Sequence, residues 1–234
     1  NKSHDINQQT VGNSNNQIND VSWLNNSEKL VKSQFKKYHA IQVYHVSKCE
    51  YFDTESDQRI IDFKNYYKEK SNKKNYNAVL FYSEALRKVI PINKKIFLCC
   101  VPSSKADIRN SICYLIEKFA GGPIIDGSGF IVTKKNRSEK KHGFTFSDEE
   151  LASTMEVHSN KIPEGYKVLL LDDITNEGQS FSVCKKLIRE SGFNGQITCL
   201  ALGQAAKKFF RTGIADEIKD INFNKIEPIN FVLP

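Results

Sequence analysis

The sequence predicts an α/β protein built on a parallel sheet with helices on both faces. Three apolar runs point to this fold, at residues 96–102 (IFLCCVP), 167–172 (KVLLLD) and 196–202 (QITCLAL). Continuous apolar runs of this length are typical of strands that are buried on both faces. Amphipathic helical patterns at 107–119 and 179–190 separate the runs, and such spacing favours parallel pairing through right-handed crossovers.

The other elements are predicted from periodicity and from turn residues. In chain order they are a strand at 41–46, helices at 56–70 and 77–89, a strand at 128–133 and a short helix at 147–157. Ser147 is the expected N-cap of that last helix, and Glu149 and Glu150 suit its first turn. Residues 173–178 are expected to form the turn between the 167–172 strand and the helix that follows it.

Composition divides the chain into four expected parts: a polar flexible arm at 1–35, a hood or cover at 36–95, the α/β core at 96–215 and a carboxyl-terminal extension at 216–234. The arm is rich in Asn, Gln and Ser and has little apolar periodicity. Trp23 and Leu24 are its one apolar anchor. They either dock on the body or begin a short helix.

Charge and cysteine content restrict the classes of function. The chain has 234 residues and a formal net charge of +7, which favours phosphates, nucleotides or nucleic acid as partners. No apolar run approaches the length of a membrane span, and we expect no signal peptide because residues 1–20 are polar. The six cysteines do not form C-x-x-C pairs. Buried free thiols in a reducing cytoplasm are therefore expected, rather than a metal or disulfide framework. The cysteines are Cys49, Cys99, Cys100, Cys113, Cys184 and Cys199.

The segment from Val168 to Ser180 (VLLLDDITNEGQS) carries the strongest functional signal. A buried strand ends in Asp172 and Asp173, and a short loop then leads into a helix. Ligands of open parallel sheets bind outside the carboxyl ends of the strands, where the helix start offers free N–H groups to an anion. Carboxylates for hydroxyl groups and amides for a phosphate together suit a phosphorylated sugar. The structural alternative makes the two acids an N-cap and a solvated neighbour.

This segment resembles the signature of the type I phosphoribosyltransferases, an aliphatic strand followed by D-D-V-x-T-T-G-x-T/S. The resemblance implies that Asp172 and Asp173 contact the ribose 2′ and 3′ hydroxyls. It also implies a loop around the 5′-phosphate, formed by Thr175, Asn176, Glu177, Gly178, Gln179 and Ser180. Glu177 departs from the pattern because Thr or Ser is usual at its position. Either its side chain points outward while its N–H still donates, or the loop has lost phosphate binding.

Two further segments fit the same family. Ser103, Ser104 and Lys105 follow the 96–102 strand, where the family has a loop for the diphosphate; read alone, the segment equally suits an N-capping serine beside a solvated lysine. The basic stretch 134–142 stands where the family has a mobile catalytic loop. The resemblance makes Lys135 and Arg137 candidate catalytic cations, although charge runs are usually solvated faces.

Within this family the chain is most similar to the ComF group. Residues 60–64 (IIDFK) resemble that group's I-x-x-F-K-Y helix, and V-P-S follows the next strand. The group's usual zinc ribbon is absent, since no cysteine pairs are available to build it. The resemblance implies transfer of phosphoribose from phosphoribosyl pyrophosphate to a nitrogen nucleophile, with loss of diphosphate. Mg²⁺ would bind through the substrate diphosphate, and we expect no metal site made of protein ligands alone.

Two other functions remain open at this stage. A catalytically inactive module of this fold can act as a nucleotide sensor or scaffold in a DNA-uptake, regulatory or phage-defence complex. Its protein partner would then bind residues 1–35. Nucleic-acid binding through the lysine-rich surface is the weaker alternative, and it predicts strong dependence on salt. A homodimer is also expected from the resemblance, because family members often dimerise.

Overall fold

A computed structural model describes residues 19–33, 37–45, 55–106, 108–137, 146–158 and 161–206. The strands are Val31–Lys32 (β1), His39–His45 (β2), Ile96–Cys100 (β3), Ile124–Gly127 (β4), Ile131–Thr133 (β5), Met155–Val157 (β6), Lys167–Thr175 (β7) and Ile197–Ala206 (β8). The helices are Ser56–Asn65 (α1), Lys73–Val89 (α2), Ser111–Phe119 (α3), Asp148–Ser153 (α4) and Gln179–Glu190 (α5). The expected carboxyl-terminal extension, 216–234, lies outside the described residues.

Six of the strands form one sheet in the order β1-β2-β8-β7-β3-β4. β1 pairs antiparallel with β2, and every other neighbouring pair in this sheet is parallel. The two remaining strands, β5 and β6, form a separate antiparallel hairpin. The expectation of an α/β fold on a mainly parallel sheet is therefore confirmed.

Both faces of the sheet are covered, as the apolar runs predicted. Leu169 and Leu171 of β7 belong to the core under α1, α2 and α3. Val168 and Leu170 belong to the opposite core, which contains α5, α4 and the β5–β6 hairpin. Successive side chains of a strand point to opposite faces. Only a strand with cover on both sides can therefore bury four consecutive aliphatic residues.

The described amino-terminal residues, 19–33, 37–45 and 55–95, pack on the same sheet as the rest of the chain. β2 pairs in parallel with β8, and α1 and α2 supply Ile60, Phe63 and Phe81 to the core. Before them, Trp23 is buried at 6% exposure and its Nε1–H donates to Thr198 Oγ1 over 2.8 Å. Residues 1–18 lie outside the described residues, whereas residues 19–33 pack on the sheet instead of forming a flexible arm.

Several element boundaries differ from the sequence prediction. The expected strand at 128–133 is confirmed only at Ile131–Thr133 (β5). Residues 128–130 form a turn, in which Phe130 N–H donates to Gly127 O over 3.0 Å. β4, at Ile124–Gly127, precedes this turn and was not predicted. The expected helix at 147–157 ends at Ser153, and β6 follows it. Its N-cap is Ser147, as predicted, and Ser147 forms a capping box with Glu150. β7 continues to Thr175, so Asp173 lies within the strand and not in the turn that was expected from residue 173.

Two further expectations concern the cysteines and the apolar character of the helices. Five of the cysteines are free and buried, as predicted, and Cys49 lies outside the described residues. No helix in the described part of the chain has the length and apolar character required to cross a bilayer.

Candidate functional site

The carboxyl edge of the sheet contains a crevice between β3 and β7. From β3 the chain crosses through α3 to β4 on one side, and from β7 it crosses through α5 to β8 on the other side. Such a reversal of strand order is a topological switch point, the usual ligand position in open α/β sheets. Cys100 pairs with Leu171, and Val101 N–H donates to Leu171 O over 2.9 Å. The segments after these two strands therefore start side by side.

Asp172 and Asp173 point to opposite sides of the end of β7, since neighbouring side chains alternate. Asp173 faces α1, where its Oδ2 lies 3.6 Å from Lys64 Nζ. Asp172 lies on the opposite face, in the field of Arg137. Each carboxylate also accepts the next backbone N–H, from Asp173 at 2.9 Å and from Ile174 at 2.6 Å. The pair brackets the strand end from both faces, which gives a ligand two acceptors with different surroundings.

The Asp172 carboxyl group has an unusual protonation equilibrium. Burial raises its pKa well above the ordinary value, and the neighbouring Asp173 carboxylate raises it further. Lys64 and Arg137 act in the opposite direction, with smaller effect. Two adjacent carboxylates with little water around one of them disfavour a doubly ionised state. A cation or hydroxyl donor that reaches this site would relieve that repulsion.

The candidate phosphate loop connects β7 to α5 and lies against Tyr38. Gly178 has φ of 74°, and a Cβ there would meet Tyr38 Cδ1 at 2.9 Å. Glycine is thus required both for the left-handed backbone and for the close approach. The Tyr38 hydroxyl donates to Asn176 O over 2.5 Å, and this hydrogen bond holds the loop against the Tyr38 side chain. Burial raises the pKa of Tyr38, so this hydroxyl remains a donor at neutral pH.

Helix α5 begins with open amide groups at this loop. Its N-cap is Gly178, which has no side chain to accept from the first turn. The N–H groups of Gln179, Ser180 and Phe181 have no acceptor within the helix, as at any helix start. The Gln179 side chain is engaged elsewhere, because its Nε2 donates to Phe146 O over 2.6 Å. Backbone amides and the partly exposed Ser180 hydroxyl are therefore the donors that an anion would meet.

Glu177 and its neighbour Asn176 have exposed side chains, whereas Thr175 and Gly178 are buried. The exposure of Glu177 agrees with the first of the two alternatives for this residue, a side chain directed to solvent. A carboxylate in water is screened from an anion at the helix start more strongly than one in a closed pocket. The exposed position of the Glu177 side chain therefore weakens its repulsion of an anion at the start of α5.

The candidate diphosphate loop, residues 103–105, is largely exposed and does not cap helix α3. Ser104 and Lys105 are exposed and Ser103 is partly exposed. Ser103 Oγ accepts Lys105 N–H over 3.2 Å, a local turn contact. The N-cap of α3 is Asn110, whose side chain accepts from Cys113 N–H. The N-capping alternative for Ser103 is therefore wrong, while the lysine is solvated as that alternative expected.

Arg137 and Lys135, the two candidate catalytic cations, differ sharply in environment. The Arg137 guanidinium donates from Nη2 to Pro102 O over 2.7 Å and to Ser103 O over 2.6 Å. Its Nε is buried and has no hydrogen-bond partner among the described residues. Burial also lowers the pKa of Arg137. Lys135 is exposed. In this arrangement Arg137 braces the backbone at Pro102 and Ser103, and of the two candidates Lys135 is the one with an exposed side chain.

Three side chains at this edge had no role in the sequence interpretation. Lys64 pairs with Asp173, Tyr38 supports the phosphate loop, and Asn136 Oδ1 accepts Ala106 N–H over 2.7 Å. Lys64 had one signal, its place in the I-x-x-F-K-Y resemblance. Tyr38 had none, because its contact with the loop joins distant parts of the chain. The rest of the basic stretch, from 138 to 142, lies outside the described residues.

The described residues contain no group of three or more His, Cys, Asp or Glu side chains that could hold a metal ion. Asp172 and Asp173 place two carboxylate groups, whose oxygen atoms can be ligands to a cation, at one strand end. A comparison with protein-family models finds no match, and a comparison with curated proteins finds no significantly similar sequence.

Proposed function

We propose that this protein binds phosphoribosyl pyrophosphate or a nucleoside 5′-phosphate in the crevice between β3 and β7, as a phosphoribosyltransferase-like protein. The observation that carries the proposal is the position of two loops at one topological switch point. The end of β7 offers two carboxylates, the loop after it leads to an open helix start, and the loop after β3 offers Ser103, Ser104 and Lys105. Acceptors for sugar hydroxyls thus lie beside donors for phosphate oxygens.

Each group has a distinct task in this proposal. The amides of Gln179 and Ser180 would bind the 5′-phosphate, with the helix dipole adding to the attraction. Asp172 and Asp173 would accept hydrogen bonds from the ribose hydroxyls. Lys105 and the backbone of the 103–105 loop would face the diphosphate, which they stabilise as its charge increases.

The reaction would be a displacement at C1 of the ribose. The bond from C1 to the diphosphate oxygen breaks, and its electron pair leaves with the diphosphate. A nitrogen lone pair of the acceptor forms the new bond to C1, and the proton of that nitrogen passes to solvent. Positioning and electrostatic stabilisation are the main contributions asked of the protein, because both reacting groups come with the substrates.

Mg²⁺ fits the donor set of this site. It prefers oxygen ligands and commonly binds through substrate phosphates and one or two carboxylates. Burial raises the pKa of Asp172 and repulsion from Asp173 raises it further, and a divalent cation nearby would offset that repulsion. When bound, Mg²⁺ would neutralise charge on the diphosphate. Asp172 is the residue best placed to hold it, since the Asp173 carboxylate already pairs with Lys64.

The second candidate is a binding module without catalysis. The specific observation in its favour is the engagement of Arg137 with Pro102 O and Ser103 O, because it removes one of two expected catalytic cations from the crevice. A nucleotide sensor needs the phosphate loop and the carboxylates but not the mobile catalytic loop expected at residues 134–142. In that case residues 1–18 would be the segment that meets a protein partner. We infer a reducing cytoplasm for either function, on the pattern of free cysteines.

Calorimetric titration of phosphoribosyl pyrophosphate with Mg²⁺ tests the proposal. We expect micromolar binding to the wild type and loss of at least tenfold in affinity in Asp172→Asn/Asp173→Asn. Lys186→Ala is the matched control, because this exposed lysine of α5 pairs with Glu190, away from the loop. Absence of binding to the folded wild type would refute the enzyme, and absence of binding to nucleoside 5′-phosphates as well would refute the nucleotide sensor. Binding without turnover, across a panel of nitrogenous bases, would favour the module over the enzyme.

A further inference from the structure

Two cysteine thiols lie together outside the candidate phosphate site, where β3 ends and α3 begins. The Sγ atoms of Cys100 and Cys113 are 3.7 Å apart, and both side chains belong to the same core. A disulfide has an S–S length of about 2.05 Å, so bonding requires a small approach of a strand end and a helix start. Cys99, the neighbour of Cys100, points into the opposite core. It could bond to Cys113 only if its side chain moved to the other face of the strand.

The surroundings give the two thiols different acidity. The hydrogen bond with Cys100 lowers the pKa of Cys113, and the positive charge of Arg109 lowers it further. The same hydrogen bond, together with burial, raises the pKa of Cys100. Cys113 N–H is also capped by Asn110 Oδ1, in the first turn of α3. Two contacts act in the opposite direction: Glu117 pairs with Arg109 over 2.6 Å, and the Cys113 thiol donates to Asn110 Oδ1 over 3.3 Å. One thiol thus tends to ionise while the other keeps its proton.

Access is asymmetric as well. Cys113 is 7% exposed and Cys100 is 1% exposed. A small reagent entering from solvent therefore meets Cys113 first. The reactive form of a cysteine is its thiolate, so the more accessible sulfur is also the one that its surroundings favour as thiolate. A buried partner within bonding reach then completes the arrangement of an attacking and a resolving cysteine.

We propose that Cys100 and Cys113 form a reversible redox couple that is oxidised by small hydroperoxides and reduced by thiols. The Cys113 thiolate attacks a peroxide oxygen, the O–O bond breaks, and the sulfur becomes a sulfenic acid while the released hydroxide takes a proton. Cys100 then attacks the Cys113 sulfur, forming the S–S bond and releasing a second water with its own proton. For hydrogen peroxide, two thiols and one peroxide give one disulfide and two waters. Two thiols of an external reductant reverse the oxidation.

The disulfide would close a ring from residue 100 to residue 113 that contains the Ser103–Lys105 loop. Both ends of that loop would then be tied to one covalent link. Oxidation of the pair does not require ligand binding at the loop, because it depends on the distance between the two sulfur atoms, their acidity and their exposure. The competing interpretation is a pair of inert packing thiols, as buried cysteines often are.

Peptide mapping of the full chain after treatment with hydrogen peroxide tests the proposal. Cleavage after lysine and arginine separates residues 96–105 from residues 110–118, so the disulfide joins two peptides that are otherwise distinct. We expect the intact mass to fall by two hydrogen atoms, the joined peptides to appear, and a thiol reductant to separate them. Absence of the joined peptides while the protein is still folded would overturn the proposal.

Variants identify the sulfur atoms that react. Cys99→Ser should retain the joined peptides, and Cys184→Ser, in the opposite core, should behave as wild type. Cys100→Ser should lose the cross-link and accumulate a sulfenic acid on Cys113, which dimedone traps. A cross-link that persists in Cys100→Ser would show that Cys99 reacts instead, and would contradict the assignment. Because the wild-type mapping needs no substitution, a variant that fails to fold leaves the test intact.

Discussion

Substitution of Gly178 by alanine tests whether the candidate phosphate loop requires a residue without a side chain at this position. The residue has φ of 74°, and the new Cβ would lie 2.9 Å from Tyr38 Cδ1 and 3.2 Å from Tyr38 Cε1. Left-handed backbone costs an alanine about 1–2 kcal/mol. Moving the Tyr38 ring adds about 0.5–1.5 kcal/mol for an off-rotamer side chain. Loss of its hydrogen bond to Asn176 O adds a further 0.5–1.5 kcal/mol or so.

Gly192→Ala is the matched control for this substitution. Gly192 has φ of 93° and open space where a Cβ would stand, so it carries the backbone strain without the clash. The unfolded chain gains the same restriction from alanine at either position. Gly178→Ala should therefore be the more destabilised variant by about 1–3 kcal/mol. Urea unfolding followed by circular dichroism measures both; equal losses in the two variants would refute the packing argument around Tyr38.

Three further perturbations test separate contacts. The pKa of Asp172 is raised in the folded state, so its contribution to stability falls as pH rises above the unfolded value of about 3.9. Asp172→Asn should consequently gain stability over wild type between about pH 4 and pH 7, measured by urea unfolding at both; an unchanged difference would contradict the shift. Arg137→Ala should lose about 2–3 kcal/mol by leaving two loop carbonyls unpaired, whereas exposed Lys135→Ala should stay within about 0.5 kcal/mol; similar thermal midpoints would disprove the bracing role. Trp23 is the sole tryptophan and is buried, so acrylamide should quench native fluorescence far less than that of urea-unfolded protein; equal quenching would place residues 19–33 off the body.

Local patterns were sufficient for most of the sheet and for the position of the candidate site. The runs at β3, β7 and β8 are apolar because both faces are covered, and that condition is readable from composition alone. The capping box at Ser147 was readable because its partners are three residues apart. The end of β7 was not readable. Pairing of Ile174 and Thr175 with Gly203 and Gln204 extends the strand through residues that a turn would also accept.

Contacts between distant segments account for what the sequence did not reveal. Polar composition suggested that residues 1–35 form an arm, yet Trp23 and Thr198 bond across the sheet. The basic stretch after β5 suggested a lid, but the number of charges does not show which guanidinium turns inward. Arg137 does so because the carbonyls of Pro102 and Ser103 lie beside it. The ion pair between Lys64 and Asp173 likewise depends on how α1 packs over β7.

The pairing of β2 with β8 has a consequence for the order in which the chain acquires its structure. Ala40 of β2 lies opposite Ala201 of β8. β2 is therefore synthesised long before β8, the strand with which it pairs in parallel. Contacts at such separation slow folding, and synthesis proceeds at roughly 5–20 residues per second. During that interval the apolar edge of β2 is open to other chains. A nascent or truncated product that ends before β8 should therefore be captured by chaperones or aggregate, even though it already contains twelve of the thirteen named strands and helices.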